Sequence, residues 1–254
     1  DGLAPHTFDV HTRKQDVTIH YANRSAAFRG LGRVLALPSG DRRAVMSFSE
    51  SASFATLGLM IDCSRNGVIH VDALCRFLRR VALMGVNMVM LYTEDTYEIP
   101  GEPLFGHLRG AYTEQELRDI DAFADTLGIE IIPCIQTLGH MEQVLKWPCY
   151  AHLQDVPRVL LADAEETYDF IRKMIRAASR PVKTRRIHIG MDEAWGLGTG
   201  RYRELHGEVD GFEIMNRHLA RVRDICAEEG LHPMIWSDMY FRLGSKRHQY
   251  SADD

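Results

Sequence analysis

Val86-Asn87-Met88-Val89-Met90-Leu91-Tyr92 decides the fold, because a helical pattern stands on either side of it. Before it, apolar residues recur at Val71, Leu74, Cys75, Leu78, Val81 and Ala82, the spacing of one helix face, and the pattern closes at Gly85. After it, Thr113 and Glu116 form a capping box that opens a second helix, which stops at Gly128. Further apolar runs lie outward: Leu57-Gly58-Leu59-Met60-Ile61 upstream, and residues 129–135, 186–190 and 233–236 downstream. Asp163 and Glu166 repeat the capping logic for a helix to about Ala178, and Phe212, Met215, Leu219, Val222 and Ile225 line another that ends at Gly230. Short apolar runs alternating with helices are the signature of a parallel sheet wrapped by helices. The fold class is therefore α/β, of the (β/α)8 TIM-barrel type, with about five β/α units present where a closed barrel takes eight.

Residues 1–50 read differently. Residues 16–21 form a strand, 23–37 a helix and 45–49 another strand, with a turn at Pro38-Ser39-Gly40-Asp41. This is the C-terminal part of a small N-terminal α/β domain, and residues 51–254 are the N-terminal portion of the barrel. The expectation is a truncated fragment.

Composition narrows the task. Hydrophobic residues make up 45% and charged residues 26% of the 254, as in a soluble globular domain. The formal net charge is -5 and the basic residues are scattered, which argues against nucleic acid or an anionic membrane as partner. No stretch approaches the roughly 18 apolar residues that span a bilayer. Asp1 to Val10 carries no apolar core of the signal-peptide kind. Cys63, Cys75, Cys134, Cys149 and Cys226 are odd in number and fit neither a zinc nor a disulfide spacing, so they read as buried reduced thiols in a cytoplasmic protein.

In parallel β/α folds, function gathers beyond the carboxyl ends of the strands. Each run here delivers polar residues to that rim: Asp62, Ser64, Arg65 and Asn66; Glu94 and Asp95; Gln136, His140 and Glu142; Asp192, Glu193 and Trp195; Ser237 and Asp238. The sharpest feature is His188-Ile189-Gly190-Met191-Asp192-Glu193. Two adjacent carboxylates at a buried strand end repel one another and are poorly solvated, which raises the proton affinity of one and suits a general acid. A solvated helix cap is the competing reading for an isolated Asp-Glu pair; the strand-end context weighs against it.

That hexapeptide resembles the signature of glycoside hydrolase family 20, the β-N-acetylhexosaminidases. Asp62-Cys63-Ser64-Arg65 is similar to the family's first-strand motif, Leu138-Gly139-His140 to its third and Trp236-Ser237-Asp238-Met239 to its fifth. The stretch from Tyr92 through Trp147 is most similar to the branch containing hexosaminidase D and related bacterial exo-acting enzymes.

The resemblance implies a retaining exo-acting hydrolase of terminal β-linked N-acetylhexosaminides, with no cofactor and no metal. In that scheme the acetamido oxygen of the substrate is the nucleophile and an oxazolinium forms. Glu193 is the implied general acid and base, and Asp192 orients the acetamide and stabilises its charge. Arg65 is implied to hold two adjacent sugar hydroxyls, with a surface salt bridge as its bland alternative. Trp236 is implied to wall the acetamido pocket, with a core role as its alternative. His140 and Asp95 are the implied supporting pair, His140 near Glu193 and Asp95 near His140, with Glu94 as the alternative to Asp95. Trp195, Asp238 and Gln136 stand on the rim as candidate sugar contacts. His188, inside its strand, reads as core. The later-strand pocket residues of the family lie beyond Asp254, so this piece alone is expected to be nearly inactive. Two other readings stay open. One is a carbohydrate-binding barrel without turnover. The other is a metal-dependent hydrolase using His140, His188, Asp192 and Asp238, for which no local ligand spacing exists.

Overall fold

The computed structural model describes residues 3–13, 16–38, 45–65 and 67–244. By contacts the chain divides into two compact units: residues 1–61, 69–90 and 118–131 in one, and 62–68, 91–117 and 132–254 in the other.

Within the first unit, β1 (Thr7–Arg13) pairs antiparallel with both β2 (Asp16–Tyr21) and β3 (Met46–Ser51), giving the order β2-β1-β3. Helix α1 (Arg24–Ala36) begins at Asn23, whose side chain accepts from the Ala26 N–H at 3.0 Å. Its Ala26 and Val34 pack with Phe8 and Val10 of β1 into a small core, joined by Ile19 and Phe48. The strand β1 escaped the sequence reading because its apolar positions are interrupted by polar ones; Thr12 is as buried as Phe8 and Val10. Of the turn read at Pro38 to Asp41, the last three residues lie outside the described residues, as does Asn66.

The five apolar runs each yield a strand: β4 (Gly58–Asp62), β5 (Met88–Tyr92), β6 (Glu130–Cys134), and, beyond a hairpin of β7 (Gln154–Val156) and β8 (Val159–Leu160), β9 (Arg186–His188) and β10 (His232–Met234). Their sheet order is β10-β9-β6-β5-β4, the order of the chain, and β9 runs parallel to both β6 and β10. Sequential neighbours in one parallel sheet need a crossover between each pair. The helices between them supply it: α2 (Val71–Ala82), α3 (Glu114–Thr126), α5 (Glu165–Ser179) and α7 (Gly211–Glu228). The capping box of α3 forms as expected, with Glu116 accepting from the Thr113 N–H at 2.8 Å and Thr113 Oγ1 from the Glu116 N–H at 3.1 Å. At α5 the expectation fails. Ala164 is the cap and offers no side chain, while Asp163 takes a positive φ of 60° and accepts from the Tyr202 hydroxyl and Arg217 instead. Short helices α4 (Glu142–Leu145), α6 (Arg201–His206) and α8 (Asp238–Gly244) and a 3-10 turn at Pro148–Leu153 were too brief for periodicity to reveal. Of the five thiols, Cys63, Cys134 and Cys226 are buried, Cys75 is half-buried and Cys149 is exposed, which corrects the expectation for the last. Among the described residues no helix is long and apolar enough to cross a membrane.

One buried carboxylate fixes the loop that follows β9. Asp155 of β7 accepts from the N–H groups of Gly198 at 2.6 Å, Gly200 at 3.2 Å and Tyr202 at 2.9 Å. Removing it strands three donors, each hydrogen bond to a charged group being worth about 1.5–3 kcal/mol. Asp155→Ala should cost about 3 kcal/mol in urea unfolding, with the Asn variant between it and the parent; an unchanged midpoint for Asp155→Ala would contradict this anchoring.

Candidate active site

The strand ends deliver the polar side chains as the alternation of β4, β5, β6, β9 and β10 requires. After β4, Asp62 Oδ1 accepts from the N–H groups of Ser64 at 2.9 Å and Arg65 at 3.0 Å, a tight turn that aims Arg65 across the rim. After β5, Tyr92 and Glu94 stand two residues apart and meet. The Tyr92 hydroxyl donates to Glu94 Oε1 at 3.0 Å and accepts from Arg65 Nη2 at 3.1 Å and Gln136 Nε2 at 3.0 Å. That uses its one proton and both lone pairs. Glu94 Oε2 accepts from Ser64 Oγ at 3.0 Å, and Arg65 Nε lies 3.5 Å from Glu94 Oε1.

The string continues through Gln136 to the carboxylate pair. Gln136 Oε1 accepts from the Met191 N–H at 3.3 Å, which fixes the amide orientation, and Nε2 donates to Asp192 Oδ1 at 2.8 Å. Asp192 Oδ2 lies 3.2 Å from His140 Nε2, and Glu193 Oε2 lies 3.6 Å from the same nitrogen. His140 therefore does approach Glu193, and Asp192 more closely. Asp95 does not join them. Its carboxylate is taken by Arg109 Nε at 3.1 Å, and Arg109 also reaches Ser64, so Asp95 braces the β4 and β5 loops rather than His140. The other nitrogen of His140 faces Arg158 Nη2 at 3.1 Å.

Burial separates the two acids. The side chain of Asp192 is 18% exposed and that of Glu193 is 53% exposed, so crowding and poor hydration apply to Asp192 and not to its neighbour. Burial pushes the Asp192 carboxyl up, but hydrogen bonds from His140 and Gln136 outweigh it and leave it below the usual carboxylate range. The hydrogen bond to Asp192 in turn raises His140, against burial and the charge of Arg158. His188 is held at about 4 by burial; it is neutral and its Nδ1 accepts from the Gly190 N–H at 3.1 Å, a core role as read from the sequence.

The backbone here is forced. His140, Met191 and Glu193 have φ of 54°, 72° and 45°, a region that side chains other than glycine avoid at a cost of order 1–3 kcal/mol each. Two glycines make room for it. A Cβ at Gly139 would lie 2.4 Å from the Asp192 carbonyl oxygen, and one at Gly190 would lie 2.1 Å from Gln136 Oε1. On the other side, Asp238 at the start of α8 accepts from the Glu193 N–H at 3.1 Å. Trp236 is 37% exposed and tilts against the His188 ring at 4.6 Å. Asp192, Glu193, Trp236, Ser237, Asp238 and Phe241 line one cavity of about 350 Å³. Trp195 is outside that lining; its side chain stands exposed, and its backbone N–H donates to the Glu193 carbonyl at 2.7 Å. Among the described residues no three His, Cys, Asp or Glu side chains are grouped to hold a metal ion.

The sequence pattern of glycosyl hydrolase family 20, catalytic domain, matches residues 54–249. The chain belongs to glycosyl hydrolase family 20. Among curated relatives it is similar to human hexosaminidase D, 29% identical over 165 residues covering 61% of this chain and 34% of that protein. Human beta-hexosaminidase subunit beta is 23% identical over 257 residues, covering 89% of this chain and 46% of the relative. The chain thus spans about a third of the length of hexosaminidase D. Among solved structures, the family 20 exo beta-N-acetylglucosaminidase from Vibrio harveyi in complex with N-acetylglucosamine superposes with a TM-score of 0.80 at 20% identity, covering 93% of this chain and 45% of that one. The family 20 beta-N-acetylhexosaminidase from Streptomyces coelicolor gives a TM-score of 0.77 at 22%, covering 94% and 53%. These likenesses carry the fold, which is of the family's barrel type with the sheet still open at β4 and β10.

The sequence reading passed over Tyr92, Arg109 and Arg158. Tyr92 had a signal in the strand period, since it shares a face with Glu94; the two arginines belong to a loop and a hairpin that periodicity does not see.

Because the Asp192 carboxyl is lowered in the fold, its stabilisation is complete above the unfolded carboxylate range near about pH 4 and is lost as pH falls through the lowered value. Asp192→Asn should therefore melt with a shallower decline than the parent between about pH 4 and pH 2, read by scanning calorimetry. Identical slopes would show that Asp192 titrates like an unfolded carboxyl.

Proposed function

We propose that the protein is a retaining exo-acting β-N-acetylhexosaminidase that uses the substrate's own acetamide as nucleophile. The observation that carries this reading is the division between the two acids. Asp192 is enclosed, hydrogen-bonded on both oxygens and favoured as the anion, whereas Glu193 beside it is open to the cavity and to an arriving leaving group. Inverting pairs and pairs with an enzyme nucleophile also use an anionic carboxylate; membership of family 20, an exception in which the substrate supplies the nucleophile, favours the acetamide here.

In the first step the acetamido oxygen bonds to the anomeric carbon as the bond to the leaving oxygen breaks, and Glu193 gives that oxygen its proton. Asp192 accepts the acetamido N–H and stabilises the positive charge that grows on the oxazolinium. A fixed charge in a water-poor place of this kind contributes about 2.7–4 kcal/mol when a single donor is scored by mutation. In the second step water attacks the same carbon, Glu193 takes the water's proton, the oxazolinium opens, and two inversions give retention. Arg65, braced by Tyr92 and Glu94, offers a fork to a pair of adjacent hydroxyls. Trp236 presents a flat apolar wall for the acetamido methyl group. Gln136, Asp238 and Glu94 act through Asp192, the Glu193 backbone and Arg65 in turn.

Hexosaminidase D and the Vibrio enzyme with its bound N-acetylglucosamine supply the substrate class by likeness. A sugar-binding barrel without turnover is the second reading, since the chain spans only about a third of the length of hexosaminidase D.

Hydrolysis of chromogenic β-linked N-acetylhexosaminides separates the two. Glu193→Gln should lower kcat by about 10²–10⁴-fold with binding of a thiazoline mimic of the cyclic intermediate retained. Measured on the full-length protein, tight mimic binding without any turnover would favour the binding module, and turnover unaffected by Glu193→Gln would overturn the assignment.

A further inference from the structure

The turn of the β7–β8 hairpin, Pro157-Arg158, is stitched to the segment that carries His140. The Leu160 N–H donates to the Leu138 carbonyl at 3.0 Å and the Met141 N–H to the Arg158 carbonyl at 3.1 Å, so the two bonds bracket Gly139-His140. From that fixed position the half-buried Arg158 sends its guanidinium to a single side chain: Nη2 lies 3.1 Å from His140 Nδ1. Its Nε is buried with no partner, and among the described residues no carboxylate pairs with it. A half-buried arginine with a buried Nε, facing an imidazole instead of an acid, is unusual, because a guanidinium only donates.

The consequence for His140 is a fixed tautomer. Nδ1 must present its lone pair to Arg158, so the ring proton sits on Nε2, where it points at Asp192 Oδ2 at 3.2 Å and lies 3.6 Å from Glu193 Oε2. An imidazolium would set an N–H against the N–H of Arg158 and a positive charge against a permanent one. We infer that Arg158 is a positioning residue that holds His140 as the neutral Nε2–H tautomer, a donor to Asp192 beside Glu193 that does not compete with Glu193 for the transferred proton. The charged and titratable groups that bear on the ring are Asp192 and Glu193 from the end of β9, Glu94 from the end of β5 and Arg158 from the hairpin. The carboxylates and the hydrogen bond to Asp192 favour a second proton on His140 and raise it, while burial and Arg158 oppose that proton; of the two, only Arg158 bars it at a particular atom, with its N–H 3.1 Å from Nδ1. The role in catalysis rests on the hexosaminidase reading; the tautomer does not.

The test is therefore spectroscopic first. Nitrogen NMR of the protein labelled in histidine, with the His140 signals assigned through His140→Gln, reads which ring nitrogen carries the proton. The parent should show Nδ1 unprotonated and Nε2 protonated at neutral pH. Arg158→Met should let Nδ1 take a proton, with the His140 midpoint moving up by about one pH unit, and Arg158→Lys should restore most of the parent value. A proton on Nδ1 of the parent at neutral pH overturns the inference by itself, even if Arg158→Met fails to fold. An unshifted midpoint in a folded Arg158→Met also overturns it. Kinetics then add the second layer: Arg158→Met should lower kcat about tenfold at neutral pH with KM nearly unchanged, regaining activity as pH is raised through the shifted His140 midpoint. A protein inactive on every N-acetylhexosaminide leaves the tautomer result standing and removes the function assigned to it.

Discussion

The bond from Gln136 to Asp192 is the constraint on which the site depends. One amide, pinned by the Met191 N–H, reaches back to Tyr92 and forward to the Asp192 carboxylate, so three strand ends are set by a single side chain. A buried carboxylate without such donors would take up a proton, because desolvation disfavours the charge. Here two donors reverse that balance at Asp192. Everything else in the pocket reads as support for the geometry: Gly190 exists because a side chain there would displace the amide, and Gly139 because one would strike the Asp192 backbone.

The fold was legible where the pattern was long. Five apolar runs became five strands in chain order, and the helices between them formed close to where their periodicity and caps put them. It was illegible where the elements were short. The hairpin β7–β8 spans only Gln154–Leu160 in sequence, yet it carries both Asp155, which holds the loop after β9, and Arg158, which faces His140. Such segments have no period to read, and their meaning lies in contacts made far along the chain.

The rim residues divide in a similar way. Arg65, Gln136, His140, Asp192, Glu193, Trp236 and Asp238 converge, since strands running the same way bring their carboxyl ends to one end of the sheet. Asp95 sits at that end too, but its neighbour in sequence, Glu94, took the inward direction and Asp95 turned to Arg109. Both acids lie just past the end of β5, where the local turn and not the strand period decides which one enters the site, and composition does not encode that turn. Asp192 and Glu193 lie beyond the end of β9, so no strand period assigns their directions. It takes left-handed backbone at Met191 and Glu193 to bring both to one cavity at all.

The central claim is that Asp192 is an anion aimed at a participating amide. Its most direct measurement is the rate of hydrolysis of β-linked aryl glycosides whose N-acetyl group carries none, one, two or three fluorines. Fluorine weakens the acetamido oxygen as a nucleophile without altering the leaving group. A steep fall in kcat/KM with each fluorine, steeper than that of the Asp192→Asn protein, is the predicted result. A rate indifferent to fluorination, or equally sensitive with and without the Asp192 carboxylate, would contradict it.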